Sequence, residues 1–521
     1  MFPEWTEPEI EDTGAIQHLR LNELRDHINL QYFPYLTSIM PYTRLVSWLV
    51  WIYDRLDFER ENSDKGMKYS EYKEKAARYY GVFATADILH ARFSGIEHNG
   101  PVGVEALSRA LDRIGEKDID FKTADFGSTR NPVSDYKNGI VQMGFLTPML
   151  QPIPGGREET ILIPTENGKK LASFFQNRWS SLIDPDSLVN RLVWTQKELA
   201  QLGELICLQG LSKEDEESIL LFQSVSSSLP KPGLYEDFVD LVLDTAKKYK
   251  KNDLMFKSED IARASLYWAL KEGESFKKTK LTETESSSLL AYNELHMHAS
   301  YGADAILTGI VKMAKCKPGG IANSTLVEEA CQVLDENEYW NSSFSCQNLV
   351  KKLKEHSSQG PKKHQLLTPS PDGPYGFETI QSNIENAEEQ PQALSGWGAI
   401  ALLQASCAQE FFSKEWLRKI LPYHRQVFGT YQFLEEFQTI PKEATIRDWV
   451  SQTISRIIAQ HTSVAESKGS YSRRFEKVGD RIHYRADVGY YRNRGGRFPL
   501  AISWLADLGL LQRKGNEYSL V

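Results

Sequence analysis

One stretch, from Asp135 to Gln176, constrains the fold more than any other because its hydrophobic periodicity changes twice. A helical pattern ends near Met143, and two short strands follow at 144–150 and 160–164, on either side of a Pro-Gly-Gly turn. Thr165 then begins a second helix, because threonine is a favoured N-cap residue. A helix, a β-hairpin and a helix in this order are typical of a winged helix. We therefore predict a winged-helix module in the N-terminal third of the chain.

The end of the chain repeats this pattern in shortened form. In the stretch FPLAISWLADLGLLQRKGNEYSLV, an amphipathic helix is followed by Gly509, by a Lys-Gly-Asn turn at 514–516 and by a closing strand. Between the two stretches the apolar spacing is mostly helical. The predicted fold class is therefore mainly α: a multidomain helical protein with two winged-helix (α+β) modules, one in the N-terminal third and one at the C-terminus.

Breaks rich in proline, glycine and polar residues divide the 521 residues further. The clearest break contains five prolines between Pro361 and Pro391. These breaks predict six segments, which are an aromatic-rich helical region over 1–80, a winged-helix domain over 81–178, a helical domain over 179–356, a Pro/Gly-rich linker or excursion over 357–392, a helical region over 393–466 and a basic winged-helix-like module over 467–521.

The longest apolar run, from Leu45 to Tyr53, is interrupted only by Ser47 and contains Trp48 and Trp51. It is far shorter than the roughly 18 residues that a membrane crossing needs, so we expect no membrane partner. Because this helix is apolar on all sides, we predict that it is buried in the N-terminal region. The alternative is an aromatic platform that stacks nucleic-acid bases, but clustered aromatic residues on a helix normally belong to a core.

The cysteines and the first residues bear on the compartment. The chain begins with an acidic stretch, MFPEWTEPEIED, which contains no apolar signal region. An odd number of scattered cysteines argues against a disulfide framework or a zinc knuckle. We therefore expect a cytoplasmic protein with reduced thiols at five positions: Cys207, Cys316, Cys331, Cys346 and Cys407.

Two patterns resemble ligand sites without meeting the geometry of such sites. His296 and His298 are separated by one residue, so on a helix they point about 200° apart and cannot share a metal ion. Lys317 and the Pro-Gly-Gly that follows it lack the spacing and the preceding strand of a phosphate-binding loop. We therefore predict no metal site and no cofactor.

The charge is distributed unevenly along the chain. The net charge is −9, yet the residues from Tyr471 onwards contain ten Lys and Arg against five Asp and Glu. In the stretch YRADVGYYRNRGGR, arginines that can bind phosphates alternate with tyrosines that can stack on bases. The alternative is a structural loop whose arginines pair with acids of the body. The candidate nucleic-acid contacts are Arg473, Arg474, Arg485, Tyr490, Tyr491, Arg492, Arg494 and Arg497, together with Arg130 and Lys137 at the first winged helix.

The sequence contains no catalytic constellation that we can assign. The motif GxSxG, which marks a nucleophile elbow, does not occur. The stretch EKVGDRIHYR brings Glu476 and Asp480 together with basic residues on a predicted β-hairpin, which leaves a metal-dependent nuclease open as an alternative. Winged helices alone would also suit a transcriptional regulator, which is a second alternative.

The winged segments, the aromatic helix around Trp48 and Trp51, and the closing WLADLGLL together carry a resemblance. The chain resembles the large uncharacterised proteins encoded in bacterial antiphage defence operons, such as those of Menshen-like systems. The resemblance covers roughly the N-terminal 180 residues and roughly the final 30. It implies a sensor, adaptor or DNA-binding component that works beside a separate nuclease or ATPase, and it transfers no catalytic residues.

We therefore expect a non-catalytic recognition, sensor or scaffold subunit of a larger bacterial assembly acting in antiphage defence. The expected partners are other protein subunits of the same operon, with nucleic-acid contact through the basic C-terminal module.

Overall fold

The chain forms two compact units. Unit 1 comprises Met1–Ile28 and Glu259–Gly496, and unit 2 comprises Asn29–Ser258 and Arg497–Val521. Of the residues that the structure describes, 68% are helical and the strands form small antiparallel sheets, which confirms the mainly helical fold class. The computed structural model describes residues 19, 42–63, 67–96, 104–121, 132–153, 157–209, 211–227, 232–251, 253–258, 260–261, 285–349, 351–352, 375–409, 443–468, 473–488 and 498–521.

The larger segment of unit 2 contains nine helices and five short strands within its described residues. The helices are α1 (Leu45–Glu61), α2 (Tyr69–Ser94), α3 (Val104–Ile114), α4 (Pro132–Gln142), α5 (Glu166–Trp179), α6 (Pro185–Asn190), α7 (Gln196–Ile206), α8 (Glu216–Ser227) and α9 (Pro232–Lys250). The strands are β1 (Ile119–Asp120), β2 (Leu146–Ile153), β3 (Arg157–Pro164), β4 (Val193–Trp194) and β5 (Phe256–Lys257).

Unit 1 follows, and the chain then returns to unit 2. The described elements of unit 1 are α10 (Glu285–Lys315), β6 (Ile321–Ala322), α11 (Asn323–Asp335), α12 (Phe377–Asn386), α13 (Pro391–Gln409), α14 (Ile446–Lys468), β7 (Phe475–Val478) and β8 (Arg481–Tyr484). The elements that complete unit 2 are α15 (Phe498–Asp507), β9 (Leu511–Lys514) and β10 (Glu517–Leu520). The predicted C-terminal module over 467–521 is thus divided between the two units.

The stretch from Asp135 to Gln176 has the predicted order of helix, hairpin and helix. Strands β2 and β3 pair antiparallel from Leu146↔Pro164 to Ile153↔Arg157, so the hairpin is longer than the sequence predicts. Pro148 and Pro152 lie within β2, which is compatible with the two-stranded sheet that the described residues form, because edge strands tolerate proline. Thr165 caps α5 as predicted, because its hydroxyl accepts a hydrogen bond from the backbone N–H of Gly168 at 3.1 Å.

Helix α1 lies in the core of unit 2, as predicted. Trp48 is fully buried and Trp51 is 1% exposed. The ring of Trp51 meets those of Phe83 and Trp179 edge-on, with centroids 5.3 and 5.2 Å away, which is a favoured geometry for aromatic pairs. These rings therefore form a core and are not available as a base-stacking platform.

Helices α2 and α7 cross with their backbones nearly in contact. A Cβ atom on Gly203 would lie only 2.1 Å from the carbonyl oxygen of Ala86, so this crossing requires glycine. Beyond the crossing, the carboxylate of Asp87 accepts a hydrogen bond from the backbone N–H of Leu208 at 3.2 Å. These contacts hold the segment after α7 against the C-terminal half of α2.

In unit 1, α10 packs closely against α13. A Cβ atom on Gly302 would lie 2.7 Å from the carbonyl oxygen of Gly398, so the two backbones approach each other at small residues. His298 of α10 is 1% exposed, and its Nε2 and Nδ1 bond to Gln404 and Gln381 at 2.8 and 3.2 Å. Both ring nitrogens of His298 therefore form hydrogen bonds to side chains within unit 1.

Within the described ranges, no helix is at once long enough and apolar enough to pass through a lipid bilayer.

Candidate functional site

Four of the ten predicted nucleic-acid contacts lie in the described part of the chain. Lys137 is exposed on α4, Arg473 is half-buried, Arg474 is buried and Arg485 is exposed. The other six lie outside the described residues: Arg130, Tyr490, Tyr491, Arg492, Arg494 and Arg497.

The predicted hairpin around Glu476 is present, since β7 pairs antiparallel with β8 from Phe475↔Tyr484 to Val478↔Arg481. Two of the predicted contacts, Arg474 and Arg485, are engaged within unit 1. Arg474 is only 4% exposed, and its backbone N–H donates to Nε2 of His461 at 3.1 Å. Burial removes the Arg474 side chain from the surface on which we predicted a phosphate contact. Arg485 pairs with Glu476 across the hairpin.

The same ion pair bears on the nuclease alternative. The Arg485 guanidinium beside Glu476 holds the pKa of that carboxyl below its usual range. Asp480 is exposed in the turn of the hairpin. Among the residues that the structure describes, no cluster of three or more His, Cys, Asp and Glu side chains could hold a metal ion. The hairpin thus places Glu476 in an ion pair with an arginine.

The site with the most distinctive chemistry is a cleft in unit 2, which sequence reasoning did not identify. Its volume is about 870 Å³, within the range of roughly 300–1,000 Å³ that small-molecule sites occupy. Helices α2 and α3, the segment after α7 and the end of α15 with the β9–β10 turn line the cleft. Its charged lining residues are Arg92, Asp507 and Arg513, and its uncharged polar ones include Ser108, Gln209, Gln512 and Asn516.

Two glycines shape the cleft. Gly95 ends α2 with a left-handed φ of 66°, which turns the chain away at the rim. Gly509 follows α15 with a φ of 75°, and a Cβ atom there would lie 2.5 Å from the backbone nitrogen of Lys213. Only glycine satisfies both the backbone conformation and this close approach. The end of α15 is therefore held against the segment that follows α7.

Asp507 is the buried acid of the cleft. It is the last residue of α15 and is 5% exposed, and its Oδ2 accepts a hydrogen bond from the backbone N–H of Thr43 at 3.1 Å. Burial raises the pKa of Asp507 to about 8, although the Thr43 N–H and the charge of Arg513 act in the opposite direction. At neutral pH, Asp507 is therefore mostly an uncharged carboxylic acid, which can donate a hydrogen bond.

The two arginines of the cleft are held by their neighbours. Arg92 pairs with Asp112 at 2.9 Å and also donates to the carbonyl oxygen of Ser108 at 3.2 Å, which joins α2 to α3. Arg513 donates through Nη1 to Ser503 Oγ at 3.0 Å and through Nε to the carbonyl oxygen of Gly515 at 2.9 Å. These bonds use Nη1 and Nε of Arg513 and orient its guanidinium, which also lies 6.0 Å from the ring centroid of Tyr518.

The sequence contained one signal for this site. Asp507 is the only charged residue between Phe498 and Gln512, in a stretch that is otherwise almost entirely apolar. An acid in such a stretch is expected to be buried, and buried acids with shifted pKa values concentrate at functional sites. The partners that complete the cleft lie hundreds of residues away in sequence, so their proximity could not be read from the pattern.

Comparison with known proteins gives this chain no relative, since it matches no protein-family model, no curated protein and no solved structure.

Proposed function

We propose that the chain is a non-catalytic recognition or sensor subunit of a larger bacterial assembly, and that it binds a small ligand in the cleft of unit 2. The observation that carries this proposal is the buried carboxylic acid of Asp507 in the wall of a cleft of about 870 Å³. Ligand sites combine apolar walls with a few placed polar groups and often with a group of shifted pKa. The cleft has placed polar groups, some apolar lining residues and one group of shifted pKa.

The expected result is that the protein retains small molecules from a cell extract and that filling the cleft abolishes this retention. Ser108 lies in the cleft lining on α3, so Ser108→Trp should place a large side chain in the cleft. Arg109→Trp is the matched control, because Arg109 is exposed on the same helix and does not line the cleft. Each protein is equilibrated with the extract, washed and denatured, and the released molecules are identified by mass spectrometry.

Molecules that the wild type and Arg109→Trp retain, and that Ser108→Trp loses by about tenfold or more, would support the proposal, since tenfold corresponds to about 1.4 kcal/mol. An identical set from all three folded proteins, or an empty set from the wild type, would overturn it.

We further propose that the helix, hairpin and helix of 132–179 and the helix and strands of 498–520 act as winged-helix modules, and that the assembly serves antiphage defence. The element order and the exposed Lys137 on α4 support the first part. The resemblance to defence-operon proteins supports the second. Capture of the tagged protein from infected and uninfected cells would identify the operon subunits that we propose as partners.

We also propose that the basic stretch YRADVGYYRNRGGR contacts nucleic acid, and a separate experiment tests this contact. Replacing Arg492, Arg494 and Arg497 with Gln is expected to reduce the salt slope of duplex-DNA binding by roughly 0.9 per lost phosphate contact. The control replaces three exposed lysines of unit 2 with Gln, which removes the same charge: Lys117, Lys197 and Lys213. Equal slopes for the two triple variants would contradict a local contact. A discrete footprint on the operon DNA would favour the transcriptional regulator.

A further inference from the structure

The charged or carboxylic acid groups around the cleft come from four elements: α2, α3, β9 and α15, which ends at Asp507. Arg92 projects from α2 and pairs with Asp112 of α3, and Arg513 belongs to β9. Tyr42, before α1, and Gln209 and Leu211, after α7, add no charge to the lining. Because Arg92 is paired with Asp112 and Asp507 is mostly uncharged at neutral pH, the charge of Arg513 gives the cleft a net positive character.

The two side-chain oxygens of Asp507 have different hydrogen-bonding roles. Its Oδ2 already accepts the Thr43 N–H, so the proton of the neutral acid belongs on Oδ1. A carboxylic acid that keeps its proton in an apolar site acts as a hydrogen-bond donor to developing or resident negative charge. An anion near Asp507 would stabilise the protonated form further, whereas an ammonium group would have to ionise it beside Arg513.

The remaining lining suits an organic molecule more than a bare ion. Ile88, Val104, Leu211 and Leu511 contribute apolar surface, while Gln512 and Asn516 contribute amides. A cavity of about 870 Å³ is much larger than a single phosphate or sulfate ion would need. The ligand is therefore expected to bring apolar area as well as charge.

We propose that the ligand is an organic anion carrying a phosphate or carboxylate group, which Arg513 and Arg92 bind while the carboxylic acid of Asp507 donates a hydrogen bond to it. This inference rests on the proposed ligand-binding function and specifies its chemistry. The anionic group accepts hydrogen bonds from Arg513, because guanidinium groups match phosphate and carboxylate geometry. The apolar part of the ligand lies against the aliphatic lining.

Calorimetric titration with two probes of similar size and opposite charge tests the inference. Phenyl phosphate carries an anionic group on an aromatic ring, and benzylamine carries a cationic one. We expect phenyl phosphate to bind the full-length protein at about pH 7, and its Kd to rise about tenfold or more by about pH 9.5 as Asp507 ionises. Benzylamine should not bind.

Three variants assign the contacts. Arg513→Gln should weaken phenyl phosphate binding about tenfold or more, because it removes a charge-assisted contact. Lys514→Gln is the matched control, since Lys514 is an exposed neighbour outside the lining and should leave Kd unchanged. Asp507→Asn should remove the rise in Kd between about pH 7 and about pH 9.5, because an amide donates like the protonated acid and does not ionise. Melting curves confirm that each variant is folded.

Binding of benzylamine that Asp507→Asn abolishes would overturn the inference in favour of a cationic ligand. So would phenyl phosphate binding that Arg513→Gln and Lys514→Gln leave equally strong, or the failure of phenyl phosphate to bind. The extract experiment separates these failures from failure of the proposed function. If Ser108→Trp loses retained molecules while phenyl phosphate does not bind, the cleft is a ligand site and only its assigned chemistry is wrong.

Discussion

Replacement of Arg44 with methionine is expected to destabilise unit 2 by about 3–5 kcal/mol, the range for breaking a buried ion pair. Arg44 is 1% exposed at the start of α1. Its Nη1 and Nη2 each donate to a carbonyl oxygen at the end of α7, to Cys207 and Leu205 respectively, at 2.8 Å. Its Nε lies 3.4 Å from the carboxylate of Glu217, which is also 1% exposed. Methionine would fill the volume but leave both carbonyls and Glu217 without this cation.

Burial lowers the pKa of Arg44, and the nearby charge of Glu217 opposes this shift. Arg178 also contacts Glu217, at 2.8 Å, so the carboxylate keeps one cation in the Arg44 variant. The loss should therefore come mainly from the unpaired carbonyls and from the reduced compensation of Glu217.

Urea unfolding measured by tryptophan fluorescence checks this expectation. The matched control is Arg60→Met, because Arg60 pairs with Asp57 on the same helix in a more exposed position and should cost about 0–1 kcal/mol. Arg44→Lys should fall between the two, since lysine retains the charge but cannot bond both carbonyls in a fixed fork. An Arg44→Met protein as stable as Arg60→Met would show that the buried cluster contributes little.

Asp507→Asn is expected to stabilise unit 2 strongly at neutral pH. The folded-state pKa of Asp507 is raised to about 8, whereas an unfolded aspartate titrates near 3.9. The contribution of this group to stability is therefore fully present below about pH 4 and is lost as pH rises through about 8. Between about pH 4 and about pH 7 the free energy of unfolding of the wild type should fall by on the order of 4 kcal/mol because of this group. The asparagine variant should not show this fall.

The asparagine amide oxygen can still accept the Thr43 N–H, so the variant keeps the contact at the start of α1. The difference in unfolding free energy between wild type and variant should therefore grow from about pH 4 to about pH 8 and then level off. Asp118→Asn is the control, because it makes the same substitution at an exposed aspartate of unit 2. A flat difference for Asp507→Asn would mean that this carboxyl ionises normally in the folded protein.

The elements that depend on local pattern were predictable from the sequence. The apolar run around Trp48 and Trp51 indicated a buried helix, and the first part of α1, Leu45–Tyr53, is buried because it is apolar on all sides. Thr165 marked the start of α5 because the capping hydrogen bond is local. The hairpin around Glu476 was predictable for the same reason, since a two-residue turn at Gly479 connects its strands.

The features that depend on long-range contacts were not predictable. Arg474 looks like a surface arginine in sequence, yet its backbone bonds to His461 and its side chain is buried. Arg44 and Glu217 lie far apart in the chain, and only the tertiary packing of unit 2 brings them together. The cleft requires residues from Tyr42 to Asn516, whose meeting depends on the return of the C-terminus to unit 2. The hydrophobic periodicity of the sequence does not indicate which distant residues contact each other.

The protonation state of Asp507 can be measured directly by difference infrared spectroscopy. The carbonyl band of a protonated carboxylic acid is recorded for wild type minus Asp507→Asn, from about pH 5 to about pH 10. We predict a band that disappears with a midpoint near pH 8, and a higher midpoint when phenyl phosphate is present. A midpoint near the ordinary aspartate pKa of about 3.9, which would leave no band across this range, would contradict a neutral acid at the centre of the ligand cleft.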